Sequence, residues 1–508
     1  MLRRMCLRIA SCLLSLVLIS SSVQAQSFHQ CAGPDGKTGT YYAAGDECLT
    51  TAFELMDAYW SRIATQGLSQ VRGHLDNFLP ADLKALRHLP ADAIMHKFAE
   101  SFFAARDART GLIPATAWTW HPTHLVQQKN KQPVYLIARA AELLQWFPED
   151  TDLRGKCVDL AEATMKHFDY EYTPGRKAGM WGYVDVAGGE SRGPITITLH
   201  YGSMAWGMAY ISKLTGDRRF LDWADQKLEF VWRTRLNKEL PILCDTFVPY
   251  SAVMNDGWTS DTDTLYHVRL LFRLHELTGE TKYRDWALKV TDLWFDRAWN
   301  PEWGHFIRKL HPDGSPAVES LYGDAKYNTL HMLVAAYSAT KNPKYIERLK
   351  LAWQNLLRLG PDGLVAESMA HGKADPARGF DPQQTIFLEI LLDAFAATGD
   401  PFFLREAETH ASRVLQAGKR AMRIEGCQAG RAFLRLALAR QTVRRMELTL
   451  GSSNQPLSIF TGGKAILETQ VTTEKAVVYL PAGLYRVETT GVAQEVNLDR
   501  DRQISGSR

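Results

Sequence analysis

The chain reads as a mainly α protein: an α/α toroid of helical hairpins followed by a small C-terminal β-sandwich module. Three observations predict this. A four-residue turn phrase recurs about every sixty residues, the helices around it alternate in character, and apolar periodicity changes after Arg445. The phrase runs Leu214-Thr215-Gly216-Asp217, Leu277-Thr278-Gly279-Glu280, Ala339-Thr340-Lys341-Asn342 and Ala397-Thr398-Gly399-Asp400, and its threonines lie 63, 62 and 58 residues apart. Each copy predicts an αα-turn. One helix stops where Gly or Asn tolerates the left-handed conformation, and an acidic residue opens the next, where the helix dipole favours negative charge.

Helices downstream of each turn carry one apolar stripe, as in Tyr283, Trp286, Ala287, Val290, Leu293 and Trp294, or Phe403, Ala407, His410, Ala411 and Val414. Helices upstream, such as Met204–Ile211 and Leu330–Tyr337, are apolar nearly all round and so belong where every side is covered. Each unit therefore pairs an inner buried helix with an outer half-exposed one. Gln132–Trp146 with Leu153–Phe168 forms an earlier, degenerate unit. Ala52–Ala64 and Ala81–Ala104 add helix before it, and Cys427–Arg445 one after, for about six hairpins in all.

Residues 1–25 have the form of a secretory signal: Arg3, Arg4 and Arg8, an apolar run from Leu13 to Ile19, and a small-residue cleavage site at Val23-Gln24-Ala25. A periplasmic or secreted protein is expected, without a membrane span. The 508-residue chain has 59 Lys and Arg against 56 Asp and Glu, and without the three signal arginines the two balance at 56 each. Nothing in that balance supports a nucleic-acid partner. Residues 26–50 form an N-terminal arm in which Cys31 and Cys48 could pair, residues 51–445 the toroid, and residues 446–508 the β module. Its strands are expected at Met446–Leu450, Leu457–Phe460, Ala465–Glu468, Ala476–Leu480, Leu484–Thr489 and Ala493–Leu498, with a hairpin turn at Leu480-Pro481-Ala482-Gly483.

The loops that enter the inner helices would surround the mouth of the ring, and they are rich in Trp, Tyr and His. Trp118, Trp120, His121 and His124 precede the first inner helix; Trp181, Tyr183, Asp185 and Arg192 precede the second, which begins near His200-Tyr201. Trp258, Asp261 and Asp263 precede the third, which carries Tyr266, His267 and Arg269. Trp303 precedes the fourth, which carries Lys326, Tyr327, Asn328 and His331. Tyr201, Thr264, Lys326 and Gln384 stand fourteen residues before their turn threonines, and polar groups at one level are expected to point into one cavity. Flat aromatic faces above such a cavity suit stacking on sugar rings. A polysaccharide or oligosaccharide partner is expected. No cofactor is called for, and a divalent cation stays open.

The turn phrase, the period and the Trp-Gly loops resemble the six-hairpin toroids of glycoside hydrolases, α/α-toroid polysaccharide lyases and the sugar 2-epimerase group, over residues from about 80 to 440. The phrase is common to all three, so the resemblance implies a fold and leaves the chemistry open. Toroid lyases need a base, an acid for the leaving oxygen, and groups that neutralise a uronate carboxylate. Hydrolases need two carboxylates across the scissile bond. Because His, Tyr, Asn and Arg outnumber well-placed acids, the first expectation is a lyase cleaving uronate-containing glycans by β-elimination. Tyr201, His200, His267, Tyr266 and Asn328 are its candidate catalytic residues. Trp120, Trp181, Tyr183, Arg192, Trp258, Asp261, Asp263, Arg269, Trp303, Lys326 and Tyr327 are its candidate substrate contacts. A hydrolase built on Asp261 and Asp263, with Asp185 or Asp324 opposite, is the alternative, followed by a glycan-binding protein or an epimerase.

Overall fold

The computed structural model describes residues 28–32, 38–43, helical positions between 47 and 58, residue 96, and residues 99–114, 131–170, 179–188, 196–235, 240, 246–247, 260–322, 324–422, 428–440, 443–452, 455–471 and 475–505. Five helical hairpins follow one another among these residues. Their inner members are α1 (Leu136–Trp146), α3 (Thr198–Thr215), α5 (Asp263–Thr278), α7 (Asp324–Thr340) and α9 (Gln384–Thr398). The outer members are α2 (Thr151–Phe168), α4 (Arg219–Arg235), α6 (Thr281–Arg297), α8 (Pro343–Leu359) and α10 (Pro401–Ala417). An eleventh helix, α11 (Gln428–Ala439), packs against α9. Each inner helix packs on its own outer helix, successive inner helices pack on one another, and α11 follows α9 in the same row, the arrangement of an α/α toroid. Ala99, Phe102 and Phe103 of an earlier helical stretch join the same core.

The four αα-turns share one hydrogen-bond pattern, and it explains their threonine. Thr215, Thr278, Thr340 and Thr398 each donate Oγ1–H to the carbonyl four residues back, at 2.8, 2.7, 2.7 and 2.7 Å. Each hydroxyl then accepts the N–H two residues on, at 3.2, 3.2, 3.2 and 3.0 Å. One side chain thus closes the last turn of the inner helix and holds the residue that leads into the outer one. Gly216, Gly279 and Gly399 take the left-handed φ this requires, and Lys341 takes it at φ 55°. Asn342 and Asp400 cap the following helix by accepting from Lys344 N and Phe402 N.

Adjacent units are tied through the outer layer by a recurring contact. The buried Tyr283 hydroxyl donates to Asp225 of the preceding outer helix at 2.9 Å, and Tyr345 to Asp292 at 2.7 Å; the lysine before each tyrosine pairs with the same carboxylate. In the inner layer, two glycines of α3 let its neighbours approach. A Cβ on Gly207 would lie 2.8 Å from the Ala138 backbone of α1, and one on Gly202 2.8 Å from His267 Nδ1 of α5. His410, on the outer α10, is buried with Nε2 bonded to the Gln384 carbonyl, and burial lowers its pKa to about 4. It is structural, as its stripe predicts.

The sixty-residue β module differs from expectation in three ways. Its strands are β3 (Val443–Thr449), β4 (Gln455–Thr461), β5 (Lys464–Val471), β6 (Lys475–Pro481), β7 (Gly483–Thr489), β8 (Val492–Leu498) and β9 (Arg502–Ser505). First, the arm strands β1 (Phe28–Ala32) and β2 (Thr38–Ala43) extend one of its sheets, in the order β1-β2-β6-β3-β9, with β2 parallel to β6. Second, Pro481-Ala482-Gly483 is not a hairpin: β6 and β7 belong to different sheets, the second being β5-β4-β7-β8. The hairpins turn instead at Gly462-Gly463 and Gly491, all with positive φ. Third, the last helix ends at Ala439, short of the expected Arg445. Leu448, Leu457, Ile459, Val478, Val487 and Leu498 fill a core between the sheets, separate from that of the toroid. Cys48 is buried, while Cys31's side chain lies outside the described residues.

Replacing Thr398 by Val keeps its shape but removes both turn bonds. Denaturant unfolding should show a loss of about 1–2 kcal/mol, which Thr398→Ser largely avoids. Equal losses in both variants would contradict the assigned role of the hydroxyl.

Candidate functional site

The inner helices begin at one end of the ring, beneath a collar of short antiparallel strands. Lys131–Pro133 pairs with Tyr183–Asp185, Thr196–Ile197 with Thr246–Phe247, and Ser260–Asp261 with Lys309–Leu310. Below this collar, the row fourteen residues upstream of the turns does not face an open cavity. Tyr201, Thr264, Lys326 and Gln384 are all 0% exposed. Lys326 Nζ pairs with Asp381 Oδ2 at 2.7 Å and donates to the Glu367 carbonyl at 2.5 Å. Gln384 bonds both ways to the Val365 backbone. These groups fasten the collar to the helices.

Chemistry gathers on a different row, nine residues upstream, where Trp206, Arg269, His331 and Glu389 stand on four successive inner helices. Five residues of helix rotate the side chain by about 140°, so this row points away from the first one. It continues one turn deeper with Tyr210, Arg273 and Asp393, and one turn nearer the collar with Tyr266 and Tyr327. Arg273 is exposed, and Tyr210, Tyr266, Arg269, Tyr327, His331 and Asp393 are half-buried, although their helices lie in the middle of the ring.

Arg431 and Arg435 of α11 complete the cluster. Arg431 grips Glu389 with two hydrogen bonds, Nη2 to Oε2 at 2.5 Å and Nε to Oε1. Arg435 Nη2 donates to Asp393 Oδ1 at 2.6 Å, and Asp393 Oδ2 lies 3.9 Å from His331 Nδ1. His331 is held well below the usual imidazole pKa, first by burial and then by the positive fields of Arg269, Arg431 and Arg435. Helix axes pack 8–10 Å apart, so α5 and α11, three steps apart, would be separated by about 25–30 Å in a flat row. Their arginines both bear on one imidazole because the row curves around it. The wall beside it is aromatic: Trp206 stacks on Tyr210 at 5.9 Å, Arg273 lies 5.0 Å from the Trp206 ring, and Arg269 5.7 Å from the Tyr266 ring.

Of the expected site residues, Arg269, Tyr266 and Tyr327 thus share the concave face with His331. Tyr201, His267, Asn328 and Lys326 are buried, His267 against Gly202, and Asn328 stands at the same register as Tyr266. Trp181 and Tyr183 are half-buried in the collar, Trp181 packed on the main core. Trp303 is half-buried among His305 and His371, with ring centroids at 5.7 and 5.1 Å. Asp185 caps its own loop at Ala187 N and Gly188 N. Trp120, His121, His124, Arg192 and Trp258 lie outside the described residues, as do the side chains of His200, Asp261, Asp263 and Asp324.

Sequence reasoning gave no role to His331, Glu389, Asp393, Arg431 and Arg435. A signal existed in α9, where Glu389 and Asp393, spaced i and i+4, are the only charges in an otherwise apolar helix. A lone charge on a helix covered on most sides marks the side that is not covered.

No family model matches the chain, and no curated protein matches it in sequence. Among solved structures it is similar to the cellobiose 2-epimerase of Bacillus thermoamylovorans B4167, at 14% identity and TM-score 0.45, over 64% of this chain and 87% of that one. It is similar to a sugar epimerase from a ruminal bacterium, at 11% identity and TM-score 0.49, over 68% and 99%. It is also similar to the unsaturated glucuronyl hydrolase of Bacillus sp. GL1, at 12% identity and TM-score 0.41, over 67% and 96%. These names fall within the groups that the turn phrase resembles. At such identities and scores the likeness leaves the reaction open.

Lys326→Met should destabilise the fold by about 3–5 kcal/mol, because it leaves the buried Asp381 carboxylate without its partner. Unfolding of the variant measures this. Unchanged stability with lost substrate binding would return Lys326 to the site.

Proposed function

We propose that the protein is an exported enzyme that acts on a carboxylate-bearing glycan by proton abstraction and β-elimination. One observation carries this reading: a half-buried His331 on the concave side of the inner helices, held well below the usual imidazole pKa by burial and then by the charges of Arg269, Arg431 and Arg435. A neutral imidazole has a lone pair that can accept a proton. Guanidinium groups suit a sugar carboxylate, and their charge stabilises the enolate-like anion that forms when the adjacent C–H is broken. Electrons then move into the new carbon–carbon double bond, and the bond to the glycosidic oxygen breaks. That oxygen must take a proton, for which Tyr327 is the candidate, on the same face one turn above His331. The half-buried Tyr210 and Tyr266 offer rings for the sugar.

The arginines favour this over a hydrolase built on Glu389 and Asp393, because each of these carboxylates is engaged by one of them; a hydrolase built on Asp261 and Asp263 rests on side chains outside the described residues. An epimerase would use the same base on a free sugar. The arginines support an anionic substrate instead, and the signal at 1–25 a location outside the cytoplasm.

The test is a panel of neutral and uronate-containing polysaccharides, with unsaturated-uronate absorbance and reducing ends followed together. Both signals should rise on an anionic glycan alone. Reducing ends without absorbance would replace the lyase by a hydrolase. Solvent deuterium entering a free sugar, with neither signal, would replace it by an epimerase.

A further inference from the structure

One charge inside the ring has no counter-charge among the described residues. Arg273 stands on α5, five residues before its turn threonine, and is exposed although its helix is covered on three sides. No described carboxylate pairs with it and no described group accepts a hydrogen bond from it, Glu276 three residues further along the helix included. Its contact is aromatic: the guanidinium carbon lies 5.0 Å from the centre of the Trp206 ring on α3. The other arginines of the concave face are engaged. Arg431 holds Glu389 at both oxygens, Arg435 holds Asp393 at 2.6 Å, and Arg269 has its own partner besides the Tyr266 ring.

The contact with Trp206 also fixes where the charge sits. Trp206 stands nine residues before its turn threonine, on the level of Arg269 and His331 and one helical turn nearer the collar than Arg273. Side chains on a helix lean toward its N-terminus, here toward the collar. The Arg273 guanidinium therefore lies at about the level of His331, a turn above its own Cα. Trp206 is buried and stacked on Tyr210. A guanidinium held against such a wall keeps its N–H groups for an acceptor on the open side.

We infer that Arg273 binds the carboxylate of the sugar, and that it is the residue by which the site separates anionic from neutral glycans. This rests on the proposed function and deepens it by naming the group that takes the substrate's charge. Arg431 and Arg435 could take a substrate carboxylate only by giving up the one each already holds, which is costly where the pair is buried. Arg273 has no such carboxylate to give up. A charge walled by apolar helices attracts an anion more strongly than one on an open surface, and the planar fork of a guanidinium matches both carboxylate oxygens at once. Tyr210, half-buried beside Trp206 and with no described partner for its hydroxyl, offers a further hydrogen bond. A carboxylate held at this level brings the neighbouring C–H to the base, His331.

D-glucuronate and D-glucose are the probes, with the whole chain and titration calorimetry. Glucuronate should bind about tenfold or more tightly than glucose. Arg273→Met should remove that advantage and leave the affinity for glucose and the unfolding midpoint near wild type. Arg273→Lys keeps the charge but not the fork, and should retain part of the advantage. In wild type the advantage should shrink as salt is added. Wild-type protein that binds glucuronate no better than glucose would overturn the proposal, as would a preference that salt does not touch or that Arg273→Met keeps. None of these readouts needs turnover. A glucuronate preference carried by Arg273 without any unsaturated product would sink the elimination reading alone. Unsaturated product from a uronate glycan with KM unmoved in Arg273→Met would sink this assignment alone.

Discussion

From α3 to α9 each inner helix packs on three sides, against its own outer helix and against its two neighbours in the row, so only a narrow stripe of its surface is left for polar chemistry. The rest of the structure follows from that constraint. Helices apolar nearly all round, such as α9, are stable only inside such packing, and the few charges they carry must lie on the remaining stripe or be paired. Both cases occur. Lys326 is paired at the helix starts, with Asp381, and the arginine–carboxylate pairs of α9 and α11 lie on the stripe. Curvature of the ring brings the stripes of successive helices together, and a group of ordinary polar residues becomes a site.

The turns set the phase of each stripe. The threonine hydroxyl joins the end of one helix to the start of the next in four copies with nearly one geometry, so equivalent positions in successive units stand at equivalent levels. The Tyr-to-Asp ties between outer helices start from one register, Tyr283 and Tyr345 each standing five residues after the turn threonine, and end on carboxylates one helical turn apart. Levels are therefore legible from the sequence by counting back from each threonine, and the succession of hairpins was legible for the same reason. Rotation was not. A helix that is apolar almost all round has no dominant face, so Tyr201 and His331 are equally credible as cavity residues until their burial is known. Tyr201 is fully buried and His331 is not. Only the isolated charges of α9 could have broken the tie.

The β module shows another limit of local reading. Its alternating strands announce themselves, but the partner of a strand does not. Pro481-Ala482-Gly483 has the composition of a tight turn, yet it passes the chain from one sheet to the other. The parallel addition of β2 beside β6 links residues more than four hundred positions apart, which no spacing near either strand encodes. Through it the arm and the C-terminal module form one sheet, and the toroid lies between them in sequence.

The proposed chemistry resides on the row of Arg269 and His331 and not on the row of Tyr201 and Lys326. Turnover and unfolding of His331→Gln and Tyr201→Phe, measured side by side on the anionic glycan of the proposed reaction, separate the two rows. His331→Gln should stay folded and lose at least about a hundredfold in kcat. Tyr201→Phe should keep most of its turnover, whatever it loses in stability. A folded, inactive Tyr201→Phe beside a fully active His331→Gln would contradict the account.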